Sequence, residues 1–116
     1  AFPFGRVSPR AKAVCAARFA SCRGVRAAVM RGRIDPGLLP AVPLYARSLT
    51  TAAAGTLLDD LAARGGVLAL FTHGVVDDPG AYDTTPAQLS RILDQAARRG
   101  IVVMPMRDAV ERAFPA

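Results

Sequence analysis

Apolar residues along this chain follow two alternating rhythms, stretches of helical spacing and short unbroken runs. Ser8-Pro9 has the form of a helix N-cap with proline at the first helical position, and Ala11, Val14, Cys15 and Phe19 then recur at helical spacing. This predicts a helix from Ser8 to about Phe19, followed by a short strand around Ala20 to Val25. From Arg26 to Pro40 the period is broken by Gly32, Asp35-Pro36-Gly37 and Pro40, so an irregular loop with a turn is expected. Val42 to Tyr45 reads as a further short strand.

The second half repeats the alternation more clearly. Ala54, Leu57, Leu58, Leu61 and Ala62 form one stripe, ending at Arg64 with Gly65 placed as a left-handed cap. Val67-Leu68-Ala69-Leu70-Phe71-Thr72 is apolar almost throughout and does not alternate, the pattern of a strand covered on both faces. A turn at Asp77-Asp78-Pro79-Gly80 precedes Thr85-Pro86-Ala87-Gln88, which spells a capping box. Leu89, Ile92, Leu93 and Ala96 continue as a helical stripe, Gly100 ends it, and Ile101-Val102-Val103-Met104-Pro105 predicts another buried strand. Val110, Ala113 and Phe114 share a face of a last short helix. The phrase Ala62-Ala63-Arg64-Gly65 is echoed by Ala96-Ala97-Arg98-Arg99-Gly100, a repeated helix-to-strand joint of the kind that builds a parallel sheet or barrel. The fold class expected is therefore α/β, in one domain spanning residues 1–116, with no linker to divide it.

Composition narrows the functional classes. A hydrophobic fraction of 52% with 21% charged residues describes a globular rather than a disordered chain. No apolar run approaches the roughly 18 residues of a membrane-spanning helix. Ala1 rather than Met opens the chain and no signal-type segment follows it, so the start is expected to be processed or cut from something longer. The net charge of +6 is uneven: residues 1–50 hold nine bases against the single acid Asp35, and the remainder holds six bases against eight acids. Such a basic half could be a footprint for phosphate, yet no aromatic platform of the kind single-strand binders use accompanies the arginines. Cys15 and Cys22 lie among small apolar residues and are expected to be two buried thiols.

The chain has one histidine, His73, directly after the apolar run 67–72. In parallel α/β architectures the carboxyl ends of strands line the active face, and an imidazole with an ordinary pKa of about 6.5 exchanges protons near neutrality. On position alone, His73 is either such a catalytic group or a histidine that hydrogen-bonds a neighbouring loop.

Phe2-Pro3-Phe4-Gly5 at the start, and Leu68-Ala69-Leu70-Phe71-Thr72-His73 after a βα unit, resemble signature segments of the polysaccharide deacetylases, the NodB homology family. The resemblance covers this whole chain but only the carboxyl-terminal half of the family's domain. It implies a partial (β/α) barrel, acetylated polysaccharide or oligosaccharide as partner, and removal of acetyl groups from amide or ester linkages. It also implies a divalent metal, zinc or similar, for a full-length member, with none bound by this chain alone. By the same resemblance His73 is the general acid that protonates the leaving group. A backbone N–H at the Phe4-Gly5 bend, that of Phe4 in particular, would help hold the oxyanion; the same bend also serves simply as a tight turn.

Other parts of the family's machinery are missing from these residues. The family's early Asp-Asp pair and its early histidine motif have no counterpart, and one histidine cannot build a His-rich metal site. Asp77 and Asp78 precede Pro79-Gly80 and read as a solvated turn. Ala1 stands where many relatives carry arginine, and Gly74 where an acid is common. The chain taken alone is thus expected to be catalytically silent, with an open sheet edge that invites association. The alternatives are a degenerate module that binds sugar or a partner without chemistry and, behind it, a basic nucleic-acid-binding domain.

Overall fold

The computed structural model describes residues 1–115. It contains helices α1 (Pro9–Ala16), α2 (Thr51–Arg64), α3 (Pro86–Arg98) and α4 (Met106–Ala113), and strands β1 (Val42–Pro43), β2 (Leu70–Phe71), β3 (Gly74–Val75) and β4 (Asp83–Thr84). The expected mixture of helices and strands is present. The strands form two two-stranded sheets, β1 with β2 and β3 with β4, and no closed barrel is made among the described residues. Contacts divide the chain into two compact units. One comprises residues 1–42, 66–69 and 105 onward, the other residues 43–65 and 70–104.

In the first unit the N-cap at Ser8 is formed as expected, its hydroxyl accepting from the Ala11 N–H at 3.1 Å. The helix ends earlier than predicted, because the N–H groups of Arg18 and Phe19 both turn back to the Cys15 carbonyl. The expected apolar face is not core: α1 buries none of its residues, and Val14 and Phe19 stand exposed. The helix makes a polar contact with the loop that follows, an ion pair between Lys12 and Asp35. The predicted strand 20–25 forms one parallel bridge, Arg23 to Leu39, with the Leu39 N–H donating to the Cys22 carbonyl and the Gly24 N–H to the Leu39 carbonyl.

The segment expected to be an irregular loop supplies this unit's largest fully buried side chains, Met30 and Leu39. Met30 pairs with Val67 in an antiparallel bridge, each N–H donating to the other's carbonyl. Gly66 makes that approach possible, since a Cβ there would lie 2.5 Å from the Met30 carbonyl oxygen. Cys22 is buried as expected, whereas Cys15 is only half-buried.

The second unit is organised around α2 and α3, which pack together. Ala54, Leu58 and Leu61 on α2, and Ile92 and Ala96 on α3, are the buried part of the two predicted stripes. Removing each large aliphatic side chain from water stabilises the fold by roughly 1.5–3 kcal/mol. Leu93, assigned to the same stripe, points outward. Thr50 caps α2 and Thr85 caps α3 through their hydroxyls. The predicted capping box at Thr85 is half made: the Gln88 side chain donates to the Leu49 carbonyl instead of returning to Thr85.

The Gly100 and Ile101 N–H groups return to the Ala97 and Ala96 carbonyls, which is a Schellman ending with Gly100 at positive φ. Gly65 also has positive φ (70°), but its ψ of −173° is extended and not left-handed helical. β3 and β4 run parallel, Gly74 opposite Asp83 and Val75 opposite Thr84.

Two predicted buried strands need correction. Of residues 67–72, Ala69 alone is buried, the others are half-exposed, and the strand is limited to Leu70–Phe71. The run 101–105 forms no strand, and Val102 and Val103 stay 66% and 64% exposed. Among the described residues nothing hydrogen-bonds alongside 102–104, and an apolar run without a neighbouring strand has no sheet to enter.

Candidate functional site

His73 follows β2 and precedes β3, in the second unit. Its backbone is fixed, the His73 N–H donating to the Tyr82 carbonyl at 3.0 Å. The Thr72 hydroxyl, next to it, donates to the Gly74 carbonyl at 3.1 Å and lies 3.3 Å from that of Tyr82. The imidazole itself is exposed, and among the described residues neither ring nitrogen has a hydrogen-bond partner. The ring is therefore not engaged in holding a neighbouring loop.

Aromatic rings surround it. The His73 ring lies 5.6 Å from that of Tyr82 and 6.0 Å from that of Tyr45, tilted by 48° and 47°. Tyr45 and Tyr82 meet edge to face at 5.6 Å and 74°, and Phe71 meets Tyr45 in the same way at 5.7 Å and 86°. Such edge-to-face pairs match the positive rim of one ring to the negative face of the next. The Ala46 N–H donates to the Asp83 carbonyl, so the segments bearing Tyr45 and Tyr82 are tied together one residue beyond each ring. Sequence reasoning missed both tyrosines. Tyr45 looked like the end of a short strand and Tyr82 like part of a loop, and nothing local to either signals that they converge.

Asp77 and Asp78 are exposed in the connection between β3 and β4, in keeping with a solvated turn. Asp83 is placed differently. Its carboxylate accepts from the Gly80 N–H at 3.1 Å and fills the space beside Gly74.

The Phe4-Gly5 bend belongs to the first unit, so His73 and the bend are carried by different units. Pro3–Gly5 is a single 3-10 turn in which Phe4 has φ 54° and ψ 21°, left-handed values that are uncommon for a residue with a side chain. Gly5 follows at φ 66°, and a Cβ there would lie 2.5 Å from Val25 Cγ2, so both its conformation and its space require glycine. The Phe2 ring is buried and the Phe2 N–H donates to the Arg23 carbonyl, which anchors the turn. The Gly5 and Arg6 N–H groups are used within the turn, donating to the Phe2 and Pro3 carbonyls. Among the described residues the Phe4 N–H has no acceptor, and the Phe4 side chain is 97% exposed. Of the two residues singled out at this bend, Phe4 offers a free donor and Gly5 supplies the geometry.

The divalent metal implied by the resemblance finds no matching donor set in these residues. His73 is the one histidine, and no three His, Cys, Asp or Glu side chains cluster among the described residues. No helix is long and apolar enough to cross a membrane among the described residues. No protein-family model, curated protein or solved structure matches this chain.

Proposed function

We propose that this chain is the carboxyl-terminal part of a polysaccharide-deacetylase-like hydrolase with a (β/α) barrel, acting on acetylated sugars, and that His73 is its proton donor. In the reaction water adds to the acetyl carbonyl, the C–N or C–O bond breaks, and acetate and a free amine or alcohol result. The leaving nitrogen or oxygen needs a proton, and a protonated His73 supplies it. The metal ligands and the base that complete the reaction would come from outside these 116 residues.

The observation that carries this reading is the state of His73: its backbone N–H is held by the Tyr82 carbonyl, while the exposed imidazole has no hydrogen-bond partner among the described residues. A general acid needs that combination of fixed position and unspent nitrogen.

The test is release of acetate from an acetylated oligosaccharide by the full-length protein. His73→Ala is expected to lower the rate by roughly 10²–10⁴-fold, the usual contribution of a positioned acid, while metal content stays unchanged. A rate equal to the parent's would remove His73 from the mechanism.

A further inference from the structure

The chain contains two tyrosines and no tryptophan, and both tyrosines stand against His73. Tyr82 keeps 63% of its surface in water, an unusual state for a ring that is also in contact with two others. Set 74° apart, Tyr45 and Tyr82 make a corner of one face and one edge. The backbone on either side of the corner is tied down. Phe71 abuts Tyr45, the Ala46 N–H ties the first segment to Asp83, and the Tyr82 carbonyl holds the His73 N–H.

An exposed ring that neighbouring segments hold in place binds without a large ordering cost. Pyranose rings carry axial C–H groups on an apolar face and hydroxyls around the rim. The apolar face suits an aromatic ring, and the rim suits phenol and imidazole groups.

We propose that Tyr45 and Tyr82 form a sugar-binding corner that seats one pyranose ring of an acetylated oligosaccharide against His73. This deepens the deacetylase reading and rests on it for the ligand class. Tyr82 makes the stacking contact, and Tyr45 positions it.

Tyrosine emission from this chain reports on the corner alone, because every tyrosine is in it. Titrating the 116-residue chain with a β-linked tetramer of N-acetylglucosamine is expected to change that emission saturably. At saturation, ring-proton NMR shifts should move at both tyrosines in the unsubstituted protein, a readout that depends on no variant. Tyr82→Ala, with an unchanged far-UV circular dichroism spectrum, is expected to weaken binding roughly three- to tenfold, the scale of one aromatic contact. Tyr82→Phe should bind like the parent.

Emission that does not respond up to the solubility limit, ring shifts that stay fixed, or a Tyr82→Ala variant that binds like the parent would each overturn the corner. The deacetylase reading fails separately. Absence of acetate release by the full-length parent sinks that reading and leaves the ring shifts standing, whereas acetate release with fixed ring shifts sinks the corner alone.

Discussion

Gly74 and Asp83 face each other across the β3–β4 pair so closely that a Cβ on Gly74 would lie 2.7 Å from Asp83 Oδ1. The carboxylate occupies the place a side chain at position 74 would need, and it is held there by the Gly80 N–H. Gly74→Ala must displace it and lose that bond. A destabilisation of about 1–3 kcal/mol is expected in urea unfolding. Gly74→Asp adds repulsion between two carboxylates and should cost more. The double variant Gly74→Ala/Asp83→Ala should recover part of the loss, since the clash has been removed, and strict additivity of the two changes would refute the contact.

Thr84 is completely buried, and among the described residues its hydroxyl has no hydrogen-bond partner. Its backbone carbonyl, by contrast, accepts from Val76. An unsatisfied buried hydroxyl costs free energy that an isosteric methyl does not. Thr84→Val should therefore raise stability by about 1 kcal/mol. A loss of similar size, read from the urea midpoint at constant slope, would mean the hydroxyl is satisfied after all.

The two thiols should react unequally. Burial first, and the neighbouring Cys15 second, push the Cys22 thiol above its ordinary range, so its thiolate is scarce as well as shielded. Cys15, half-buried, should be alkylated by iodoacetamide several-fold faster under native conditions. Peptide mass mapping of a time course measures the ratio, and equal rates would contradict this placement of the two side chains.

Acid should loosen the contact between α1 and Asp35. The hydrogen bond from Lys12 first, and that from the Gly37 N–H second, hold the Asp35 carboxyl below its ordinary range. A carboxyl lowered in the folded state contributes stability above its unfolded pKa of about 3.9 and loses it as pH falls through the lower folded value. Below that value the contribution is gone. Asp35→Asn should accordingly show a shallower loss of stability over this acidic window in pH-dependent urea unfolding. The difference should be small, because the pair is exposed to solvent and salt.

What the sequence made legible was local chemistry. Ser8 and Thr85 cap helices as their neighbours suggest, Gly100 ends α3, and the stripes on α2 and α3 contain the residues that pack. These features depend on side chains within a turn or two of each other. Met30 and Leu39 escaped detection because their burial depends on Val67 and Arg23, far along the chain, while Gly32 and Pro36 nearby erase any period.

Val102 and Val103 misled in the opposite direction. A β-branched run announces a strand whether or not a neighbour exists to receive it. Of the candidate site, His73 and the Phe4-Gly5 bend were visible as residues, but the ring cluster was not. Tyr45 and Tyr82 meet where Ala46 bonds Asp83, a register that no local pattern encodes.

The first unit is assembled from three separated stretches, residues 1–42, 66–69 and 105 onward. Its Met30–Val67 bridge closes a long loop, and the entropy of closing loops has to be met before such contacts can stabilise anything. The second unit is nearly continuous and is built on neighbouring helices. During synthesis from the amino end, the last residues of the second unit are added before residues 105 onward, which the first unit still lacks. The unit that carries His73 therefore has its full sequence before the one that presents Phe4 does.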